Sequence, residues 1–145
     1  MPKKPTANNG QRPIASTFQI VEAYKTIRTN LLFTLAPSKN KIVIISSAEP
    51  NAGKSTVSCN LAITMAQTGA RVVLIDADLR KPSQHKTFRV KKTNGLSRIL
   101  SGQLTFEDCV CREVARGLDL LPSRGMGGGR FVQNWLMAMN TLRNS

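Results

Sequence analysis

The sequence predicts an α/β fold in which a parallel sheet is flanked by helices. Two short apolar runs rich in β-branched residues, KIVIISS and RVVLID, read as buried parallel strands. Between them Val57, Leu61 and Met65 recur at helical spacing, and Gly69 is placed to close that helix. A later run, GLDLLPS, reads as a third strand.

Taken in chain order, residues 1–15 are rich in Pro, Lys, Asn and Gly and read as a disordered basic arm. From Ser16 to Ala36 the pattern becomes helical, with Ile20, Tyr24, Ile27, Leu31 and Leu35 on one face. Pro37 ends it, because the residue before a proline is pushed out of the helical region. After the second strand, ADLRKPSQHKTF reads as a polar loop. GLSRILSG and TFEDCVCREV read as short helices. The expected organisation is a basic arm over 1–15, the N-terminal part of a nucleotide-binding domain over 16–122, and a divergent tail over 123–145.

The bulk composition narrows the function. A length of 145 residues sets a prior of one domain, and the net charge of +13 favours an acidic partner such as nucleotide phosphate, nucleic acid or an anionic surface, or else a basic solvated surface with a basic tail. The odd set of Cys59, Cys109 and Cys111 matches neither a zinc site nor a disulfide framework, which fits a reduced compartment. Cys109 and Cys111 read as small buried hydrophobes and His85 as an exposed loop residue. The start has no apolar core of a secretory signal, and no apolar run is long enough to span a bilayer.

Residues 48–55, AEPNAGKS, fit the P-loop pattern with Ala48 in place of the first glycine. The context is the one the motif needs, with a strand ending before it and a helix starting inside it. A helix N-terminus offers unpaired N–H groups and partial positive charge to a phosphate. Gly53 lets the backbone come close, Lys54 reaches the outer phosphates, the Ser55 hydroxyl suits Mg²⁺, and Thr56 is placed for the α-phosphate. Asn51 tolerates a left-handed turn where many such loops carry glycine, and with Ala52 it belongs to the expected cofactor loop. The second strand ends in Asp76-Ala77-Asp78, at the carboxyl edge where open parallel sheets bind ligands. Those two acids are expected to hold Mg²⁺ and to accept a proton from an attacking hydroxyl.

The order EAYKTIRTN, SSAEPNAGKST, LIDADLRKP, then a His–Phe loop and NGLSRIL, resembles the cytoplasmic bacterial tyrosine kinases of capsule and exopolysaccharide synthesis, over roughly residues 16–122. The resemblance implies a P-loop NTPase fold, ATP and Mg²⁺ as cofactors, and protein-tyrosine kinase activity regulating polysaccharide synthesis. It implies catalytic roles for Lys54, Asp76 and Asp78, metal contacts from Ser55, Asp76 and Asp78, and Arg80 beside the nucleotide as part of the Walker A′ motif. It further implies a membrane-embedded activator that recruits the cytoplasmic kinase peripherally. Glu22, Lys25 and Arg28 match a ring-assembly motif, with Lys25 where the family has arginine and so without that residue's bidentate fork; ordinary i, i+3 pairing on a solvated helix explains the same residues. Positioning ATPases with a signature lysine at the start of the loop fit less well, because Glu49 stands there.

No run after residue 80 matches the family's Walker B strand, and Tyr24 is the only tyrosine. RGMGGGRFVQNWLMAMNTLRNS departs from the family and reads as out-of-frame translation or a fragment, or else as a genuine short variant with Phe131, Trp135, Leu136 and Met139 near one helical face. The expected fold is therefore incomplete at its C-terminus and its kinase activity impaired. A non-catalytic nucleotide-binding or adaptor-binding module is the alternative, and nucleic-acid binding, favoured only by the charge, ranks below both.

Overall fold

The computed structural model describes residues 17–49, 52–91 and 94–123. The basic arm over 1–15, Asn51 in the loop and the tail from 124 onward lie outside those residues. The chain divides into two compact units, up to Pro37 and from Ser38 on. The first holds helix α1, Thr17–Leu35. None of its residues is buried, and Lys25 pairs with Glu22 across one turn at 3.1 Å, with both side chains in solvent. Such exposed pairs contribute a few tenths of a kcal/mol, about 0.3–0.5.

The second unit contains α2 (Lys54–Ala66), β1 (Val72–Ile75), α3 (Gln84–Thr87), α4 (Leu96–Leu100), α5 (Phe106–Cys109), β2 (Cys111–Ala115) and β3 (Leu118–Leu121). Its sheet runs β1-β3-β2. β1 and β3 are parallel, in register from Val72 opposite Leu118 to Ile75 opposite Leu121. β2 and β3 are antiparallel. The parallel pairing expected from the sequence is present between β1 and β3, and β2 adds an antiparallel strand that makes the sheet mixed. β2 lies where the sequence reads as a continued helix. Thr105 and Asp108 form a reciprocal capping box that starts α5. That helix lasts one turn before Val110 turns extended.

The other correction concerns KIVIISS. Residues 41–47 form no strand, and Ile42 and Ile44 are 69% and 58% exposed. A parallel strand exists only through its ladder, and among the described residues β1 pairs on one edge alone. The apolar, β-branched composition is right for a strand, but no strand among the described residues pairs with it. β1 itself is only half-buried, with Val73 in solvent. The polar loop after Asp76 also proves to contain a turn of helix, α3, with His85 half-buried inside it.

β3 is the centre of the unit. Leu118, Leu120 and Leu121 are fully buried, and alternation along the strand divides them between two cores. Leu118 packs with Ala62 and Ala66 of α2, together with Val72, Leu74 and Phe88. Leu121 packs with Leu79, Leu96 and Cys109, bordered by Ile75, Ile99 and Phe106. Helices therefore cover both faces, as the sequence led one to expect. Each buried leucine contributes about 1.5–3 kcal/mol. Burial pushes the Cys109 thiol up from its ordinary value, as it does for Cys59, so both stay protonated packing groups.

Two local devices hold β3 in place. Gly117, in the short turn between β2 and β3, has φ +72, and its carbonyl accepts from the Val72 N–H at 2.9 Å. A Cβ there would lie 3.2 Å from the Ala70 carbonyl oxygen. Opposite, β2 carries a bulge with Glu113 at φ 52. The Asp119 carboxylate fills it, accepting from the Glu113 N–H at 2.9 Å and from Arg112 Nη1 at 2.7 Å.

Gly117→Ala is therefore expected to destabilise the fold by more than about 1 kcal/mol, through both φ and contact, as a shift of the urea midpoint. The Glu113 N–H, then Arg112, hold the Asp119 carboxyl below the usual carboxylate range. Its folded pKa is thus depressed, so its contribution to stability is full above about pH 4 and is lost as pH falls through the lower folded value. Urea titrations at pH 7 and pH 3 should show a smaller loss in Asp119→Asn than in the parent chain.

Candidate nucleotide site

The loop before α2 and the carboxyl end of β1 meet at one place. Gly53 is the residue that opens α2, at φ +84, and the Val57 N–H bonds back to its carbonyl at 3.0 Å. An ideal Cβ on Gly53 meets nothing within 4 Å among the described residues, so it is the left-handed φ that asks for glycine. Ala52 and Gly53 are exposed, Lys54 and Ser55 half-buried, and Thr56 exposed. Nothing acidic occupies the first turn of α2, so its N–H groups keep their positive field.

Lys54 Nζ lies 3.5 Å from Asp78 Oδ2. Both side chains are about one-third exposed, at 34% and 29%. A pair so wetted is worth about 1 kcal/mol at most and yields readily to a stronger anion. Asp78 Oδ1 accepts from the Lys81 N–H at 3.0 Å, which turns the chain after the strand. Arg80 is exposed on that turn.

Asp76 is buried and differently engaged. Its Oδ1 accepts from the Asp78 N–H at 3.1 Å. Its Oδ2 accepts from the N–H groups of Ser83 and Gln84 at 3.1 and 3.2 Å. One carboxylate thus folds the whole segment from 76 to 84 around itself, with Ala77 outside and Leu79 turned into the core. The folded segment brings α3 against α2. The Ser83 hydroxyl donates to Ser55 Oγ at 2.8 Å, and Gln84 Nε2 donates to the Ser55 carbonyl at 2.8 Å. Buried Ser123 adds a bond from its hydroxyl to the Asp78 carbonyl at 3.3 Å.

Lys54, Ser55, Asp76 and Asp78 are therefore neighbours, while Arg80 points to no described partner there. Sequence reasoning missed Ser83, Gln84 and Ser123. Ser83 directly precedes a helix, a place that favours serine, but no local signal marks the other two. The oxygens of Ser55, Asp76 and Asp78 are hard donors of the kind Mg²⁺ takes with phosphate and water. Among the described residues no His, Cys, Asp and Glu cluster of three or more could hold a metal ion. The donor set fits magnesium shared with a phosphate, not a closed protein cage.

Because Asp76 satisfies three main-chain donors, Asp76→Ala should lower stability by about 2 kcal/mol or more. Asp78→Ala, at a side chain about one-third exposed, should cost about 1 kcal/mol or less. Chemical denaturation of both variants checks the order.

The family model described as "ParA: NUBPL iron-transfer P-loop NTPase" matches residues 38–105. Tyrosine-protein kinase YwqD of Bacillus subtilis is 45% identical over 102 residues, which is 70% of this chain and 43% of that protein. Tyrosine-protein kinase ptk of Acinetobacter johnsonii is 38% identical over 124 residues, 86% of this chain and 16% of that protein. Among solved structures, the kinase domain of Escherichia coli tyrosine kinase ETK superposes with a TM-score of 0.78 at 32% identity, covering 87% of this chain and 49% of that one. The chain thus spans less than half the length of each of these relatives. With a P-loop NTPase fold, with the loop and the acidic strand end side by side, and with this degree of identity to named kinases, the chain belongs to the bacterial tyrosine-protein kinase family.

Proposed function

We propose that residues 48–56 and the end of β1 bind Mg-ATP, and that the chain serves ATP-dependent phosphorylation of protein tyrosine in the control of capsular or extracellular polysaccharide synthesis. The observation that carries the reading is the approach of Lys54 to Asp78 beside Ser55 and Asp76. A phosphate at the start of α2 would draw Lys54 from a weak, wet ion pair into a charge-assisted bond. The backbone around Gly53 and the Thr56 hydroxyl would complete the cradle, with Ala52, Asn51 and Arg80 at its border. Bound magnesium would neutralise phosphate charge, and Ser55, Asp76 and Asp78 are the residues proposed to hold it. Asp78, the more accessible acid, is proposed to take the proton from the tyrosine hydroxyl as its oxygen bonds to the γ-phosphorus and the bond to ADP breaks.

The names of the relatives support the kinase reading. A membrane-embedded activator, peripheral recruitment from the cytoplasm and ring assembly through Glu22, Lys25 and Arg28 go with it as proposals. No described helix is long and apolar enough to cross a membrane. A second reading, nucleotide binding without efficient transfer, is favoured by the exposed apolar run Ile42–Ile44 next to the loop, since that run leaves the loop's entry without a strand ladder. A displacement of about 1 Å at such a site costs about a hundredfold in rate.

Calorimetry with Mg-ADP tests the site. Lys54→Ala should lose about tenfold or more in affinity with an unchanged thermal transition. Equal binding by both proteins would refute the assignment. Incubating the 145-residue chain with Mg-ATP and a tyrosine peptide then separates the two readings. Labelling that vanishes in Lys54→Ala supports the kinase, and binding without labelling supports the second.

A further inference from the structure

Gln84 stands at the start of a four-residue helix, yet its side chain is buried against the loop. It is 3% exposed. Its N–H donates to Asp76 Oδ2 and its Nε2 to the Ser55 carbonyl, so one residue spans from the strand-end carboxylate to the first turn of α2. Ser83 runs a parallel link from the same carboxylate oxygen to the Ser55 hydroxyl. The remaining amide atom, Gln84 Oε1, is buried and has no hydrogen-bond partner among the described residues. Leaving a buried acceptor so costs about 1–3 kcal/mol. Folds retain such an atom where a water, an ion or a functional role engages it.

We propose that Gln84 is a positioning residue of the nucleotide site. It fixes the separation of Ser55 and Asp76 on which magnesium binding depends, and it offers its buried amide oxygen to ordered water there. This rests on the nucleotide-site reading above. The physical basis is the difference between the two halves of that site. Phosphate would be held by Lys54 and main-chain N–H groups of α2, whereas the Gln84 side chain bonds to the Ser55 carbonyl. Magnesium demands near-ideal octahedral geometry and keeps several waters, so it feels a loosened Ser55–Asp76 spacing first. Removing the Gln84 amide should therefore weaken the magnesium-dependent part of nucleotide affinity and spare the rest.

The test measures binding of a fluorescent ADP analogue to the full chain, its Lys54→Ala variant and its Gln84→Met variant, each with Mg²⁺ and with EDTA. Methionine matches the length of glutamine and fills its space but cannot donate. Gln84→Met is expected to keep the EDTA affinity within about twofold while losing about tenfold of the gain from magnesium, as residues behind metal ligands do. In the parent chain, the Gln84 side-chain amide resonance should move when Mg²⁺ is added to the ADP complex and stay in place when ADP is added with EDTA. This second measurement holds even where Gln84→Met does not fold. A parent-like magnesium gain in folded Gln84→Met, or an unmoved amide resonance, overturns the role of Gln84 alone. If neither the parent chain nor Lys54→Ala binds ADP, or both bind it equally, the nucleotide-site reading fails and this inference fails with it.

Discussion

The carboxylate of Asp76, accepting from three main-chain N–H groups, is the interaction on which the site depends. Without it nothing local would bring residues 83 and 84 back to the strand end, since the intervening ADLRKP has no helical or strand ladder of its own. Once they are there, Ser83 and Gln84 reach Ser55. The loop that offers positive N–H groups and the strand end that offers acids become one surface. A buried carboxylate is costly unless its lone pairs are used. Here the main chain uses them, which is how a negative group is tolerated beneath the proposed phosphate site.

That carboxylate is itself held by the sheet. The Asp76 N–H bonds to the Leu121 carbonyl at 3.0 Å, continuing the β1–β3 ladder to the strand-end carboxylate itself. β3, buried on both faces, is the rigid element. The Leu96 N–H closes on the Pro122 carbonyl at 2.8 Å and fixes α4 beyond it. Packing thus runs from two leucine-centred cores to one strand, and from that strand to one carboxylate. Lys54 sits at the wet rim, where its ion pair with Asp78 is weak enough to exchange.

How much of this was legible follows from how local each signal is. The Gly53-Lys54-Ser55 turn and the Asp76/Asp78 strand end are short patterns whose chemistry depends on neighbours in sequence, and both lie where they were expected. The family resemblance rested on the same patterns and stands. KIVIISS failed because strand propensity is realised only through a partner, which composition cannot supply. β2 was hidden because Thr105-Phe106-Glu107-Asp108 announces a helix correctly but says nothing of its length; the turn at Gly117 was the overlooked hairpin signal. Ser83 and Gln84 were invisible for another reason. Their bonds to Ser55 join residues 28 and 29 apart, side chain to hydroxyl and to carbonyl, and no periodicity encodes such a contact.

The central assignment is that the P-loop and the segment folded around Asp76 are a single nucleotide site. Titrating the ¹⁵N-labelled chain with Mg-ADP and following the amide resonances of Gly53, Lys54 and Ser55 together with those of Asp78, Ser83 and Gln84 tests it most directly. Both groups are expected to shift along one binding curve with one dissociation constant. Shifts confined to residues 53–55, or two curves with different midpoints, would contradict it.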